Sequence, residues 1–259
     1  MLCEEAKHIG GTTVWCHNGG GMEAPVAVAL GHVDAFNAGD GLDADYERYY
    51  ALLNCGFRLP LSSGTDWWIY DHNRVFAQIE GGNFTYESWL AALRAGRTFV
   101  SNGPLVDFLV NGKAPGATIE TEGRLRIQAR AISRLPFDRL EIVHDGEIVA
   151  AQPANDLGEA SIEREVPLPH GGWLAARVAS NTKTQAGYKI FAHSSPVYVR
   201  VAGTPSRRAE SAGIFIDEIE DSVRFIGKNY RFAKDADRAL ALGRFESARQ
   251  HYAKLAAGA

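Results

Sequence analysis

The sequence predicts an α/β partial barrel, followed by an all-β, Ig-like sandwich and a C-terminal helical tail. Three observations predict this order: strands alternate with helices up to residue 104, short alternating apolar runs fill 105–203, and apolar residues recur every three or four positions in 204–259. Strand–helix alternation is typical of parallel sheets, whereas short runs between turn residues are typical of sandwiches. We therefore predict three domains with limits at 1–104, 105–203 and 204–259.

The predicted barrel portion contains four strands and two complete helices. Residues 2–8 have the pattern of the last turns of an amphipathic helix that ends at Gly10–Gly11. Because the chain opens on the end of a helix, we expect further structure upstream of Met1. Strands are expected at 12–17, 32–36, 58–66 and 74–80, and helices at 43–55 and 85–97, the latter capped by Thr85.

The remaining two portions change in pattern. Runs such as RLRIQARAIS and RLEIVHDGEIVA alternate between apolar and polar residues and are separated by turn residues, with Asn-Gly and Asp-Gly pairs at hairpin positions. From about residue 206, the segments SAGIFIDEIEDSVRFIGKNY and DADRALALGRFESARQHYAKLA show helical spacing of apolar residues. A sandwich followed by two amphipathic helices is expected.

Composition narrows the classes of partner. Apolar residues make up 46% and charged residues 22% of the 259 residues, as in ordinary globular proteins. The net charge of -4 comes without a block of like charges, which argues against nucleic acid and membrane surfaces as partners. Cys3, Cys16 and Cys55 lack the spacing of a disulfide framework or zinc ribbon, so a reducing, cytoplasmic compartment is expected. A small-molecule substrate agrees better with this composition than nucleic acid or a membrane surface does.

Two residues combine reactive chemistry with a suggestive position. His17 ends the first predicted strand, before the loop Asn18–Gly21, and Asp66 ends the third. Active sites of parallel sheets are assembled at the carboxyl ends of the strands. An imidazole and a carboxylate at that edge are suitable ligands for a divalent metal such as zinc, manganese or iron. His17 and Asp66 are therefore the candidate metal ligands, although a structural histidine and an Asx turn are the alternatives.

Further ligands are weaker candidates. They are Glu23, His32, Asp34, Asp71 and His72, while Trp67 and Trp68 either wall an aromatic pocket or cap the barrel. Four other histidines lie in the sandwich turns or the tail and are interpreted as structural: His144, His170, His193 and His251. The segment 101–104 lacks the lysine and the glycine spacing of a phosphate-binding loop, and the sequence has no GxSxG nucleophile motif.

Several motifs together resemble a known family. The runs YYALLNCGFRLP at 49–60, GTD at 64–66 and RTFVSNGP at 97–104, with GMEAPVAVALG and SSPVYV, resemble CehA/McbA-type metallohydrolases of the PHP (polymerase and histidinol phosphatase) superfamily. This resemblance implies a distorted TIM-like barrel that binds divalent metals and hydrolyses ester, carbamate or phosphoester bonds with a metal-activated water. It matches His17 to a late histidine ligand and Asp66 to an aspartate near the last barrel strands. The early His-x-His pair of the family is absent, and Trp68 replaces the histidine expected two residues after Asp66.

Two hypotheses of function follow. The first is a metal-dependent hydrolase, or a fragment of one, with His17 and Asp66 as metal ligands and Glu23 as a ligand, supporting residue or proton-transfer group. Its partner would be a small-molecule substrate, and uncovered strand edges would favour association with a second copy or with an upstream segment. The second is a non-catalytic remnant or binding module, in which the sandwich at 105–201 recognises a carbohydrate, a peptide or a partner domain.

Overall fold

The computed structural model describes residues 2–39, 44–65, 73–205 and 209–258. The helices are α1 (Leu2–His8), α2 (Ala24–Ala29), α3 (Glu47–Asn54), α4 (Tyr86–Arg94), α5 (Glu210–Asn229) and α6 (Asp235–Ala256), and a 3-10 turn covers His17–Gly19. The strands are β1 (Val14–Trp15), β2 (Ala35–Asn37), β3 (Leu61–Ser62), β4 (Arg74–Ala77), β5 (Thr98–Ser101), β6 (Leu105–Val110), β7 (Thr118–Thr121), β8 (Arg124–Ile132), β9 (Arg139–His144), β10 (Glu147–Pro153), β11 (Glu159–Pro167), β12 (Gly172–Ala179), β13 (Ala192–Ser194) and β14 (Val197–Val201).

Most of the predicted elements exist at the expected places. The helices at 2–8, 43–55 and 85–97 are confirmed as α1, α3 and α4, and the two C-terminal helices as α5 and α6. Thr85 caps α4 as predicted, since its side chain accepts a hydrogen bond from the Ser88 N–H, and the Ser88 hydroxyl oxygen accepts one from the Thr85 N–H. The predicted strands at 12–17 and 58–66 shrink to two residues each, β1 and β3.

A small parallel sheet contains the first three strands in the order β1-β2-β3. Val14 and Trp15 lie beside Ala35 and Phe36, and Asn37 lies beside Ser62. All three strands run in the same direction, so their carboxyl ends lie at one edge. This edge carries the candidate site.

Two further sheets form a sandwich-like body. One is mixed and has the order β10-β9-β12-β13-β5-β4, with β14 pairing both β12 and β7; the other is antiparallel, with the order β11-β8-β6. Strands β8 and β11 alternate between exposed and buried residues, and their buried residues pack against those of β9 and β12 in one core. This is the geometry of sheets that face each other across a hydrophobic layer.

The predicted fold class is wrong in its first part, because the chain segments described by the structure form no α/β barrel. Strands β4 and β5, expected to continue a parallel barrel, pair antiparallel with each other. Strand β5 also pairs antiparallel with β13, so both strands extend the mixed sheet of the sandwich-like body. The limit predicted at residue 104 thus falls within one hydrogen-bonded sheet, and the division into three domains stays a prediction.

The outer edge of β3 pairs with no further parallel strand from the part of the chain that the structure describes, and its side-chain contacts explain this. The backbone N–H of Leu61 donates to the Ser195 hydroxyl, and the Leu61 carbonyl accepts from the Thr98 hydroxyl. The two hydroxyls also hydrogen-bond to each other at 2.7 Å. Side chains from the mixed sheet thus satisfy the polar groups that a neighbouring strand would otherwise pair. The alternation of strands and helices in the sequence carries no information about this contact.

The C-terminal helices belong to the main core. Tyr252 of α6 stacks on Phe215 of α5 at 5.0 Å, and its hydroxyl donates to the Pro25 carbonyl of α2. Arg48 of α3 forms an ion pair with Glu218 of α5. The two helices therefore cover α2 and α3. Within the residues that the structure describes, no helix is long and apolar enough to cross a membrane.

Candidate functional site

The carboxyl edge of the parallel sheet brings together polar residues from three strands. Cys16 and His17 follow β1, Asn37 is the last residue of β2, and Ser63 follows β3. Neighbouring strands lie about 4.8 Å apart, so β1 and β3 are separated by roughly 10 Å, with the end of β2 between them. Groups from β1 and β3 can therefore meet only above the end of β2.

The turn after β1 has an unusual backbone. His17 and Asn18 both adopt the left-handed conformation, with φ of 57° and 52°. This conformation costs about 1–2 kcal/mol for a residue other than glycine, and it is less unfavourable for asparagine. Two such residues in succession persist only where the surroundings fix them, and such strain is concentrated at functional sites. The His17 side chain is exposed at this turn.

Two contacts fix this turn against β2. The Asn18 side-chain oxygen accepts a hydrogen bond of 2.7 Å from the Gly39 N–H, two residues beyond the end of β2. Gly19 packs so tightly that a Cβ atom there would lie 2.5 Å from the Phe36 ring, and its φ of 78° also favours glycine. The sequence Asn18-Gly19 thus supplies a side chain that hydrogen-bonds to Gly39 and a residue without a Cβ atom beside Phe36.

Asn37 contributes an unusual polar atom. Its side chain is 7% exposed, and its Oδ1 has no hydrogen-bond partner among the described residues. An unpaired buried amide oxygen costs about 1–3 kcal/mol, so it needs an explanation. Ser63 nearby differs, since its hydroxyl donates to the Ala38 carbonyl at 2.7 Å. An amide oxygen is a ligand for a hard divalent cation and an acceptor for a bound donor, so Asn37 and His17, at the same edge of the sheet, fit a metal or a polar substrate.

The structure separates the predicted candidates. His17 lies at the carboxyl edge, whereas Glu23 lies at the start of α2, beside an apolar cavity of about 460 Å³ that His32 also lines. Asp34 accepts hydrogen bonds from the Lys7 ammonium at 2.5 Å and from the Thr13 N–H at 2.8 Å, so it joins α1 to the strand β1 region. Asp66 lies outside the described residues, as do Trp67, Trp68, Asp71 and His72.

The apolar cavity adjoins the turn after β1 through Trp15. The Trp15 ring lines the cavity, and its Nε1 donates to the Gly20 carbonyl at 2.9 Å. Most of the other lining side chains are apolar, and they come from α1, α2, α5 and α6 and from the segments that follow α2 and α5. A cavity of this size beside a polar edge is suitable for the apolar part of a small ligand.

Behind the parallel sheet lies a buried chain of hydrogen bonds. His193 Nδ1 contacts the Ser194 carbonyl at 2.7 Å, and its Nε2 contacts the Tyr50 hydroxyl at 2.7 Å. Arg177 donates to the same hydroxyl and to Glu141, whose side chain is fully buried. Burial lowers the pKa of the His193 imidazole to about 3, so the ring is neutral and accepts the Tyr50 proton.

Sequence reasoning missed Asn18, Asn37 and Ser63. Each is a common polar residue, and only the pairing of β1, β2 and β3 shows that they share an edge. One signal was present: Asn37 interrupts the apolar run Ala35–Phe36 just before Gly39, which is where a buried strand would end.

The comparisons with known proteins leave the family open. No protein-family model matches the chain, and no curated protein matches it. Among solved structures, fibronectin(III)-like modules of Clostridium thermocellum CbhA match at 18% identity over 38% of this chain and 94% of that chain, with a TM-score of 0.25. A lytic polysaccharide monooxygenase of Jonesia denitrificans matches at 13% identity over 59% of this chain and 93% of that chain, with a TM-score of 0.24. Likenesses this weak support no inference about this chain.

Proposed function

We propose that the chain is a metal-dependent hydrolase, or the part of one that carries His17 and Asp66 as metal ligands. The observation that carries this proposal is the make-up of the carboxyl edge: the fixed left-handed His17–Asn18 turn follows β1, and β2 ends on Asn37, whose buried Oδ1 has no hydrogen-bond partner among the described residues. The motifs at 49–60, 64–66 and 97–104 support the chemistry through their resemblance to CehA/McbA-type metallohydrolases. The barrel that the resemblance implied is not part of the proposal.

The proposed reaction is hydrolysis of a small ester, carbamate or phosphoester. A divalent metal such as zinc, manganese or iron would supply a water whose pKa is lowered to about 7. His17 and Asp66 would hold the metal, and the Asn37 amide oxygen would orient a polar group of the substrate. Asn18 keeps the turn in place through Gly39.

The apolar cavity beside Trp15 indicates the substrate class more narrowly. A substrate with an apolar substituent would bury that group in the cavity of about 460 Å³ while its scissile bond lies at the carboxyl edge. Glu23, at the rim of the cavity, is then placed to exchange a proton with the leaving group rather than to bind the metal. We also propose a cytoplasmic location, because the three cysteines lack the spacing of a disulfide framework.

Metal content and hydrolysis test this proposal together. Elemental analysis of the purified chain, His17→Ala and Asp66→Ala should show about one divalent ion fewer per chain in both variants, with loss of hydrolysis of chromogenic aryl esters and aryl phosphates. His251→Ala removes an exposed histidine of α6 and is the matched control, which should keep both metal and activity. Metal content in His17→Ala equal to that of the parent chain would overturn the assignment.

A further inference from the structure

A second group of potential ligands lies at one end of the sandwich-like body. His144 ends β9, Asp145 follows in the turn to β10, and His170 precedes β12. Strands β9 and β12 pair antiparallel, with His144 opposite Leu174, and this pairing brings the three residues together. One nitrogen or oxygen atom from each of the three lies within 4.8 Å of the other two.

The carboxylate of this group is held by the backbone of β12. Asp145 Oδ1 accepts from the Trp173 N–H at 2.9 Å, and the Asp145 N–H donates to the Trp173 carbonyl at 3.1 Å. Gly172 passes so close that a Cβ atom there would lie 2.2 Å from Oδ1. Oδ2 faces both imidazoles, at 3.8 Å from His144 Nε2 and 3.5 Å from His170 Nδ1. The carboxylate is therefore oriented towards the two rings.

The histidines have the burial and the spacing of metal ligands. His170 Nδ1 lies 2.7 Å from the Gly171 carbonyl and 3.5 Å from Asp145 Oδ2, so this nitrogen faces the carboxylate and would exchange its contact with Gly171 for the metal. The side chains of His144 and Asp145 are 5% and 4% exposed, and that of His170 is 32% exposed. The two rings stack with centroids 4.7 Å apart. Two imidazoles beside one oriented carboxylate are the ligand set of open zinc sites.

We propose that His144, Asp145 and His170 bind one divalent transition-metal ion of the zinc class, with its fourth position open to solvent. The open position faces a surface cavity of about 450 Å³ that Thr204 and Glu210 also line. Zinc bonds of about 2.0–2.2 Å place tetrahedral ligands roughly 3.4 Å apart, so a shift of about 1 Å closes the group around the ion. His170 can supply this shift because it lies in a loop and is the most exposed of the three.

The bound ion would fasten the turn after β9 to the loop before β12, next to the first turn of α5. Glu210 begins α5 and lines the same cavity, so it can reach the open position directly or through a water. The site is separate from the carboxyl edge of the parallel sheet, and it goes beyond the proposed hydrolase function. A metal bound only by the folded chain also stabilises it.

Titration with Zn²⁺ and Co²⁺ tests the site. The metal-free chain should bind Zn²⁺ and gain thermal stability, and Co²⁺ should give the intense visible absorption of a four-coordinate ion. His170→Ala should weaken binding by about 100-fold or more and abolish the cobalt spectrum, because one ligand is lost. His170→Cys should restore binding, since a thiolate is also a zinc ligand. His251→Ala is the control that should behave as the parent chain.

The outcomes separate this site from the proposed hydrolase site. If both exist, the parent chain binds two ions and His170→Ala and His17→Ala each bind one. If only this site exists, His170→Ala binds none while His17→Ala binds one. Parent-like Zn²⁺ affinity in a folded His170→Ala, or no gain of binding in His170→Cys over His170→Ala, would overturn the inference.

Discussion

Two regions of this molecule build polar sites in different ways. At the carboxyl edge of the parallel sheet, strands of two and three residues leave His17 on a left-handed turn and the Asn37 oxygen without a partner among the described residues. At the end of the sandwich-like body, strands of six and eight residues hold Asp145 between backbone groups of β12. The carboxyl edge therefore contains backbone strain and an unsatisfied polar atom, both of which are unfavourable. The sandwich end contains favourable hydrogen bonds around Asp145.

This difference has a structural cause. Two-residue strands make few ladder bonds, so the parallel sheet depends on side-chain contacts such as Asn18 to Gly39 and on the core behind it, where the Tyr49 hydroxyl donates to the Leu59 carbonyl. The long ladder between β9 and β12 fixes its register from Leu174 opposite His144 to Ala179 opposite Arg139. Substitutions should therefore cost stability at the sandwich end and function at the carboxyl edge.

The largest expected effect is at Gly172. Its φ is 149°, and a Cβ atom would lie 2.2 Å and 2.4 Å from the two Asp145 oxygens. Gly172→Ala should lower the free energy of unfolding by about 3 kcal/mol, because it combines backbone strain with overpacking against a buried carboxylate. Urea denaturation of the two proteins at pH 7.5 measures the change.

Gly187 provides the matched control for this substitution. It also has a positive φ, 90°, but nothing lies within 4 Å of a Cβ atom placed there. Gly187→Ala should cost only the backbone strain, about 1 kcal/mol. Equal losses of stability at both glycines would mean that the structure around Gly172 and Asp145 adjusts to the added methyl group. The sandwich end would then be no more rigidly packed than the carboxyl edge.

Much of the fold was predictable, and the error has one cause. Apolar periodicity and caps located the helices, and the Asp145–Gly146 turn between β9 and β10 followed from its sequence. The direction and the partner of the short strands could not be predicted from the sequence. A four-residue run such as Arg74–Ala77 has the same pattern of residues in a parallel and in an antiparallel sheet. The hydroxyls of Thr98 and Ser195, which cap β3, are remote from it in sequence.

The candidate sites show the same limit. His17 was found because a strand end followed by Asn18–Gly21 is a local signal. His144 and His170 were interpreted as structural residues, since 26 positions separate them and only the β9–β12 ladder joins them. Local signals thus locate sites at the ends of short elements, whereas sites formed by long-range pairing need the register of the strands.

An intermediate effect is expected at His193, which links the two regions through Tyr50 and Ser194. Burial lowers the pKa of its imidazole to about 3 in the folded chain, against about 6.5 when unfolded. Between these values the unfolded chain binds the extra proton, so stability falls as the pH falls below about 6.5. At pH 5 this contribution amounts to about 2 kcal/mol.

His193→Gln should flatten that dependence, because glutamine does not titrate and its amide oxygen can accept from Tyr50. The measurement is the free energy of unfolding at pH 7.5 and at pH 5 for the parent chain and the variant. His251→Gln, at an exposed position of α6, is the control and should keep the parent slope. If the free energy of unfolding of His193→Gln falls between pH 7.5 and pH 5 as much as that of the parent chain, His193 is protonated in the folded chain well above pH 3.

The smallest effect on stability is expected at Asn37, because its buried side-chain oxygen is predicted to contribute no stabilising hydrogen bond. Asn37→Leu removes an amide oxygen that has no partner among the described residues, so the free energy of unfolding should change by less than about 1 kcal/mol, or rise. Aryl ester hydrolysis and metal affinity should fall, because a polar group of the proposed site is lost. Denaturation and metal titration of the same preparation measure both.

Asn102 gives the matched contrast for Asn37. It is 3% exposed, and its amide is fully used: Nδ2 donates to the Lys189 carbonyl at 2.7 Å and Oδ1 accepts from the Phe191 N–H at 2.8 Å. Asn102→Leu should therefore cost about 2–4 kcal/mol, since it leaves two buried backbone groups unpaired. If Asn37→Leu costs as much, the Asn37 oxygen is hydrogen-bonded in the folded protein. The carboxyl edge would then be built like the sandwich end, as a satisfied structural network rather than a site that awaits a ligand.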